Sequence, residues 1–410
     1  MFRTLAVVLA LSPLAAAGGL LVNSTLDLPD ADVLDGVCDA DLATPGLQIT
    51  LRAAVQHANV TPGADSIEIP AGTYKLTVKG SGEDAAATGD LDLVEDVSLA
   101  GDSPETTIID GKKVKDRLFE VFPAATVTMS GLTLRRGFAN QEQLGGGAIR
   151  VDGVLHLSNA IVRKNRSVDD AGGVEFSDAH VGPSTLDDVV FEKNKAADDG
   201  AGVDIDGGEL DVARCTFAKN HAGDEGGAFE SSDATAVFVN CTFSGNVGKF
   251  DGGAINVEEG GDVTLLHCTL AKNKSQQGAG LSVQDGLTLG TDAVVHNTIF
   301  DNAPKNNCAG TMVSGGGNID TGTTCALNAA LDQSSVPHKS LLLPLADNGG
   351  LGRTHMLKPG SPALDAADDA IAALVGEDQR GLPRPVDIAG TGVSAGDIGA
   401  LEVQADEVAP

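Results

Sequence analysis

A short corner recurs along the middle of this chain and limits what it can fold into. It reads Gly146-Gly147-Ala148-Ile149, Ala171-Gly172-Gly173-Val174, Gly200-Ala201-Gly202-Val203, Gly226-Gly227-Ala228-Phe229, Gly252-Gly253-Ala254-Ile255 and Gly278-Ala279-Gly280-Leu281. The apolar residue closing each copy advances by 25, 29, 26, 26 and 26 residues. A second mark, Asn165, Asn194, Asn220, Asn246, Asn273 and Asn302, keeps nearly the same step. Between the marks apolar and polar residues alternate, as in Val203-Asp204-Ile205-Asp206, which is strand periodicity. No segment between corners is long enough for a crossover helix, which disfavours a doubly wound sheet or a helix-wrapped barrel. Short strands and corners repeating every ~26 residues predict an all-β fold, a right-handed parallel β-helix (solenoid) over residues 65–345.

The corners have their own chemistry. Glycine supplies positive φ at one, and asparagine is expected both to adopt left-handed backbone and to bond the coil above and below at the other. The interior of stacked coils is narrow and filled by residues that sit on copies of themselves. Composition agrees: 42% of residues are hydrophobic, yet aromatics are only 3%, with no Trp and one Tyr. Against 27 basic residues stand 58 acidic ones, a net charge of −31. Such a field repels phosphate backbones and anionic lipid, so nucleic acid and a membrane surface are excluded as expected partners.

Residues 1–19 hold an early Arg3, an apolar run from Leu5 to Leu14 and a small-residue end, Ala15-Ala16-Ala17. This is the pattern of a secretory signal peptide, too short to span a bilayer, and it predicts an exported chain with no transmembrane segment. The C-terminal residues carry no hydrophobic tail. Of the six cysteines, Cys215, Cys241 and Cys268 share one repeat position and are expected inside the coils as small hydrophobes. Cys308 and Cys325 flank the Gly315-Gly316-Gly317 stretch and are expected to form a disulfide that ties down the last coil.

Leu51-Arg52-Ala53-Ala54-Val55, Ala58-Asn59, Pro62-Gly63-Ala64-Asp65 and Pro70-Ala71-Gly72-Thr73-Tyr74 resemble the CSLREA domain that opens many secreted bacterial β-helix proteins. Ile49 and Ala53 stand where that motif carries Cys and Glu, so the resemblance supplies no partner for Cys38. The Gly-Gly-Ala-Ile corners and Phe191 to Asn194, Phe217 to Asn220 and Phe243 to Asn246 are similar to the repeats of polymorphic outer membrane proteins. Asp347-Asn348-Gly349-Gly350, Thr354-His355, Gly360-Ser361-Pro362-Ala363-Leu364-Asp365, Asp378-Gln379-Arg380-Gly381 and Asp397-Ile398-Gly399-Ala400-Leu401-Glu402 resemble a choice-of-anchor Q domain. These resemblances imply a capping segment at 20–64, coils at 65–345 and an anchor-type segment at 346–410. They imply a secreted, surface or outer-membrane-associated location and bring no catalytic residues.

Candidate chemistry lies on the strand after the glycine corner. Alternation places Arg150, Glu175, Asp204, Glu230, Asn256 and Ser282 outward, followed by Asp152, Ser177, Asp206, Ser232, Glu258 and Gln284. Asp204, Asp206 and Glu230 are the candidate acids and bases of a polysaccharide lyase or hydrolase, although sugar-stacking aromatics are nearly missing. Before the corner runs a column of Asp170, Asp199, Glu225 and Asp251, oxygen ligands of the kind Ca2+ takes. The leading expectation is a non-catalytic, adhesin-like surface protein presenting an acidic face to a cell-surface or matrix component, including polysaccharide. The alternatives are the polysaccharide enzyme and a calcium-bound structural surface-layer component.

Overall fold

The computed structural model describes residues 19–407 apart from 141–144, 259, 285–291, 303–305 and 387–394. The signal-peptide segment therefore lies outside the described residues, save Gly19. The chain is an all-β right-handed parallel β-helix. One sheet stacks the short strands that follow the corners: Leu91–Leu93, Phe119–Val121, Ile149–Val151, Val174–Phe176, Val203–Ile205, Phe229–Ser232, Ile255–Glu258, Leu281–Val283 and Cys308–Ala309. The other coil walls merge in a 19-stranded sheet. Every pairing between neighbouring coils in these two sheets is parallel, for instance Val203 on Phe229 and Phe217 on Phe243.

Like residues stack inside the coils. Phe191, Phe217 and Phe243 lie ring on ring, with centroids 4.8 and 4.7 Å apart and planes within 6°. Cys215, Cys241 and Cys268 form the expected interior column, each fully buried with its thiol directed at a backbone carbonyl. Cys308 and Cys325 are joined. Cys38 is free and buried, its thiol pushed up to about 12 by loss of solvent and by Asp30 and Asp39.

The asparagine corner is built differently from the expectation. The left-handed residue is the one before the asparagine: Lys164, Lys193, Lys219, Gly245 and Lys272 have φ of 58 to 68°. The asparagines point inward instead and are buried. Asn220 Oδ1 accepts from Asn194 N at 2.9 Å, while its Nδ2 donates to Phe191 O at 3.0 Å and to Asn246 Oδ1 at 3.1 Å. The ladder needs the Asn side chain in the core, so the turn falls on the exposed neighbour.

The N-terminal end and one flank of the solenoid are covered by the chain itself. The helix Leu51–Val60, capped by Thr50 Oγ1 accepting from Ala53 N, buries Leu51, Ala53, Ala54, Val55 and Ala58 against the first coils. Arg52 is fully buried, paired with Asp27 at 2.7 Å and donating to the carbonyls of Ala86, Gly89 and Asp90. The C-terminal residues run back along the flank. Gln379 donates to Thr216 Oγ1 at 2.7 Å and accepts from Thr242, His355 bonds Ser244 at 2.9 Å, and Ala400 N donates to Thr269 Oγ1 at 3.0 Å. Gln379, His355 and Ala400 thus bind this chain's own outward Thr and Ser row.

Candidate acidic site on the corner sheet

The strands after the corners are in register, so their middle residues form one row. It runs Asp92, Glu120, Arg150, Glu175, Asp204, Glu230, Asn256 and Ser282. In the sequence the glycine corners mark this row only from Arg150 onward. Asp92 and Glu120 lack the glycine corner that marked the later coils. The apolar-acidic-apolar triplets Leu91-Asp92-Leu93 and Phe119-Glu120-Val121 were the available signal.

The row does not face open solvent as its alternation suggested. Glu175, Asp204 and Glu230 are 4%, 2% and 3% exposed, and Asn256 and Ser282 are buried as well. The reason is local. Gly200, Gly226, Gly252 and Gly278, at φ of 52 to 56°, turn the chain back over the residue four positions on. A Cβ on Gly200 would stand 2.6 Å from both Cβ and Oδ1 of Asp204, and one on Gly226 would stand 2.8 Å from Glu230 Cβ. Glycine leaves room for Asp204 and Glu230 beneath, Ala171 at φ 44° holds the same corner place before Glu175, and together the corners form a roof.

Charge along the row divides in two. In the N-terminal half Arg117 pairs with Glu120 at 3.1 Å, and Arg150 pairs with Glu175 at 2.6 Å and Asp152 at 3.2 Å. Burial still pushes Asp92 up to about 7 and Glu175 up to about 8. Beyond Glu175, among the described residues, no basic side chain forms an ion pair with Asp204, Asp206 or Glu230, although the field of Arg150 reaches Asp206. Burial and mutual repulsion hold Asp204 well above the usual carboxylate range. Burial does the same for Glu230, repelled by Glu258.

The three side chains considered for acid-base work come together. Asp204, Asp206 and Glu230 each offer an oxygen, and these oxygens lie within 4.8 Å of one another. The four residues considered for calcium do not gather. Asp170 groups with Asp169 and Asp198, Asp199 groups with Asp198 and Asp224, and Glu225 and Asp251 belong to neither set. The first two residues of the column serve the backbone, and the last two serve neighbouring side chains. Asp170 accepts Asp199 N at 3.0 Å, Asp199 accepts Glu225 N at 2.6 Å, and Glu225 takes the amides of Asn256 and Gln284.

Residues 147–327 match the family model described as the right-handed beta helix region. Among solved structures, the pectate lyase Pel9A is similar with 14% identity and a TM-score of 0.44, over 92% of this chain and 97% of that chain. No curated protein matches the chain.

Proposed function

We propose that this right-handed parallel β-helix protein is exported and works as a non-catalytic scaffold that binds a cell-surface or matrix component. The roofed row carries the reading. Glu175, Asp204 and Glu230 lie beneath the glycine corners, whereas a general base or acid must come within about 3 Å of the proton it moves. A polymer chain laid on this sheet meets the corner loops first. The acidity that solvent does reach is gathered there, at Asp169, Asp198 and Asp224. This ridge is the proposed contact, suited to a cationic or cation-bridged surface. The Cys308–Cys325 bridge and the leader-like N-terminus support an oxidising, extracellular setting.

The test is purified chain offered to a panel of uronic-acid and neutral polysaccharides, with product assayed, and in parallel to intact cells and matrix. Saturable binding without turnover is expected, weakened by Asp198→Asn with Asp224→Asn. Turnover that disappears in Asp204→Ala with Asp206→Ala would overturn the reading in favour of a polysaccharide enzyme.

A further inference from the structure

The C-terminal half of the buried row is short of positive charge and of donors. Asp204 Oδ1 and Glu230 Oε1 are buried with no hydrogen-bond partner. The nearest amides are committed elsewhere: Asn256 Nδ2 donates to Glu225 at 2.7 Å, and Gln284 Nε2 also donates to Glu225. The two carboxyls sit on adjacent strands within reach of each other. Two buried carboxyls in contact, each with one oxygen lacking a donor and a third carboxyl at their side, are costly to ionise unless something positive, a shared proton or a cation, lies between them.

We propose that Asp204, Asp206 and Glu230 bind one hard divalent cation, Ca2+ by its donor chemistry, beneath the glycine roof. The donor set is oxygen only, which suits calcium over zinc or copper. His180, the imidazole close to this end of the strand, is engaged at both nitrogens by Gly207 O and Ser184 Oγ. Two oxygens on opposite sides of a calcium ion at about 2.4 Å stand about 4.8 Å apart, so three oxygens within 4.8 Å of one another fit one coordination sphere. Magnesium demands near-ideal octahedral geometry and gives up its waters reluctantly, so it is less readily held by a cage of protein carboxylates. Asp206 is only half-buried, giving the ion and its remaining waters a way in. The ion would clamp the Val203–Ile205 coil to the Phe229–Ser232 coil on the outside, replacing the shared proton through which the two carboxyls can otherwise bond.

This site is separate from the ridge column of Asp170, Asp199, Glu225 and Asp251, and its failure would leave the scaffold reading intact. Chelator-treated full-length chain is titrated with calcium chloride by calorimetry at neutral pH, with ionic strength held constant by sodium chloride. One saturable ion per chain is expected. Glu230→Gln and Asp206→Asn should each weaken it at least tenfold, and Asp170→Asn should not. Glu230→Gln keeps shape and removes a buried charge, and its unchanged circular dichroism would show that lost binding is not lost folding. Heat and melting shifts reproduced by sodium chloride alone, or calcium binding unaltered in Glu230→Gln, would overturn the proposal. The alternative supported by those outcomes is a proton shared between Asp204 and Glu230.

Discussion

Asn220 donates through Nδ2 to Oδ1 of Asn246 one coil further on, at 3.1 Å, and both side chains are fully buried. Asn220→Ala removes this bond, the one to Phe191 O and the acceptor of Asn194 N, leaving buried groups orphaned on the preceding coil, while Asn246 Oδ1 keeps Asn220 N. Each orphan costs about 1–3 kcal/mol. A loss of at least ~3 kcal/mol in denaturant unfolding is expected; a loss under ~1 kcal/mol would show that the ladder is dispensable.

The residue beside that ladder predicts a gain. Lys219 is exposed and held at φ 59°. A non-glycine residue in the left-handed region costs about 1–2 kcal/mol, part of which glycine returns as unfolded-state entropy. Lys219→Gly should raise stability by ~0.5–1 kcal/mol while Lys219→Ala leaves it unchanged. Equal effects of the two would place the cost elsewhere.

Buried carboxyls make stability depend on pH. Asp90 and Asp92 lie together at the N-terminal end of the row. Asp116, Glu120, Glu83 and Asp84 surround them, and Arg117 lowers Asp90; burial nevertheless pushes Asp90 up to about 8 and Asp92 up to about 7. In the unfolded chain both ionise near pH 4, so the folded chain holds extra protons between about pH 4 and these values. Their contribution is complete below about pH 4 and is lost as pH rises, by about 1.4 kcal/mol per unit for each group. His355, pushed down to about 4 by burial, acts oppositely, its contribution present above about pH 6.5 and lost as pH falls through 4. In chelator, the melting temperature should be higher near pH 5.5 than near pH 8, and Asp92→Asn should reduce the difference, leaving the part due to Asp90. A flat or rising profile would count against the neutral form of these acids.

The flank contact rests on a buried pair. Arg384 and Glu402 are both fully buried, 3.0 Å apart, and Arg384 Nη1 also donates to Asn240 Oδ1 on the solenoid at 3.0 Å. Glu402→Ala leaves the guanidinium buried without its counter-charge, a loss of about 3–5 kcal/mol. Limited proteolysis should then release the C-terminal residues while the coils resist. Resistance equal to the unaltered chain would show that the pair does not hold the segment down.

The coils were legible because their cause is local. A Gly-x-x-apolar corner and a buried asparagine at a constant step require the same turn each time, and parallel stacking in register follows. The row from Arg150 to Ser282 could be named in order for the same reason. The union of Asp204, Asp206 and Glu230 was partly legible, since residues 204 and 206 share a face and residue 230 lies one period on. The four-residue column before the corner read as ligands because its backbone partners, Asp199 N and Glu225 N, leave no mark in side-chain pattern.

The sequence by itself determined the period, the register and which side chains point out of the coil, because all three follow from neighbours within one repeat. Tertiary structure alone decided what lies over those side chains. The path of Gly200 over Asp204 depends on a positive φ, and the seating of Gln379 on Thr216 joins residues 163 positions apart. Burial and the energies of these carboxylates depend on such distant or folded-back segments, and periodicity says only which way a side chain points.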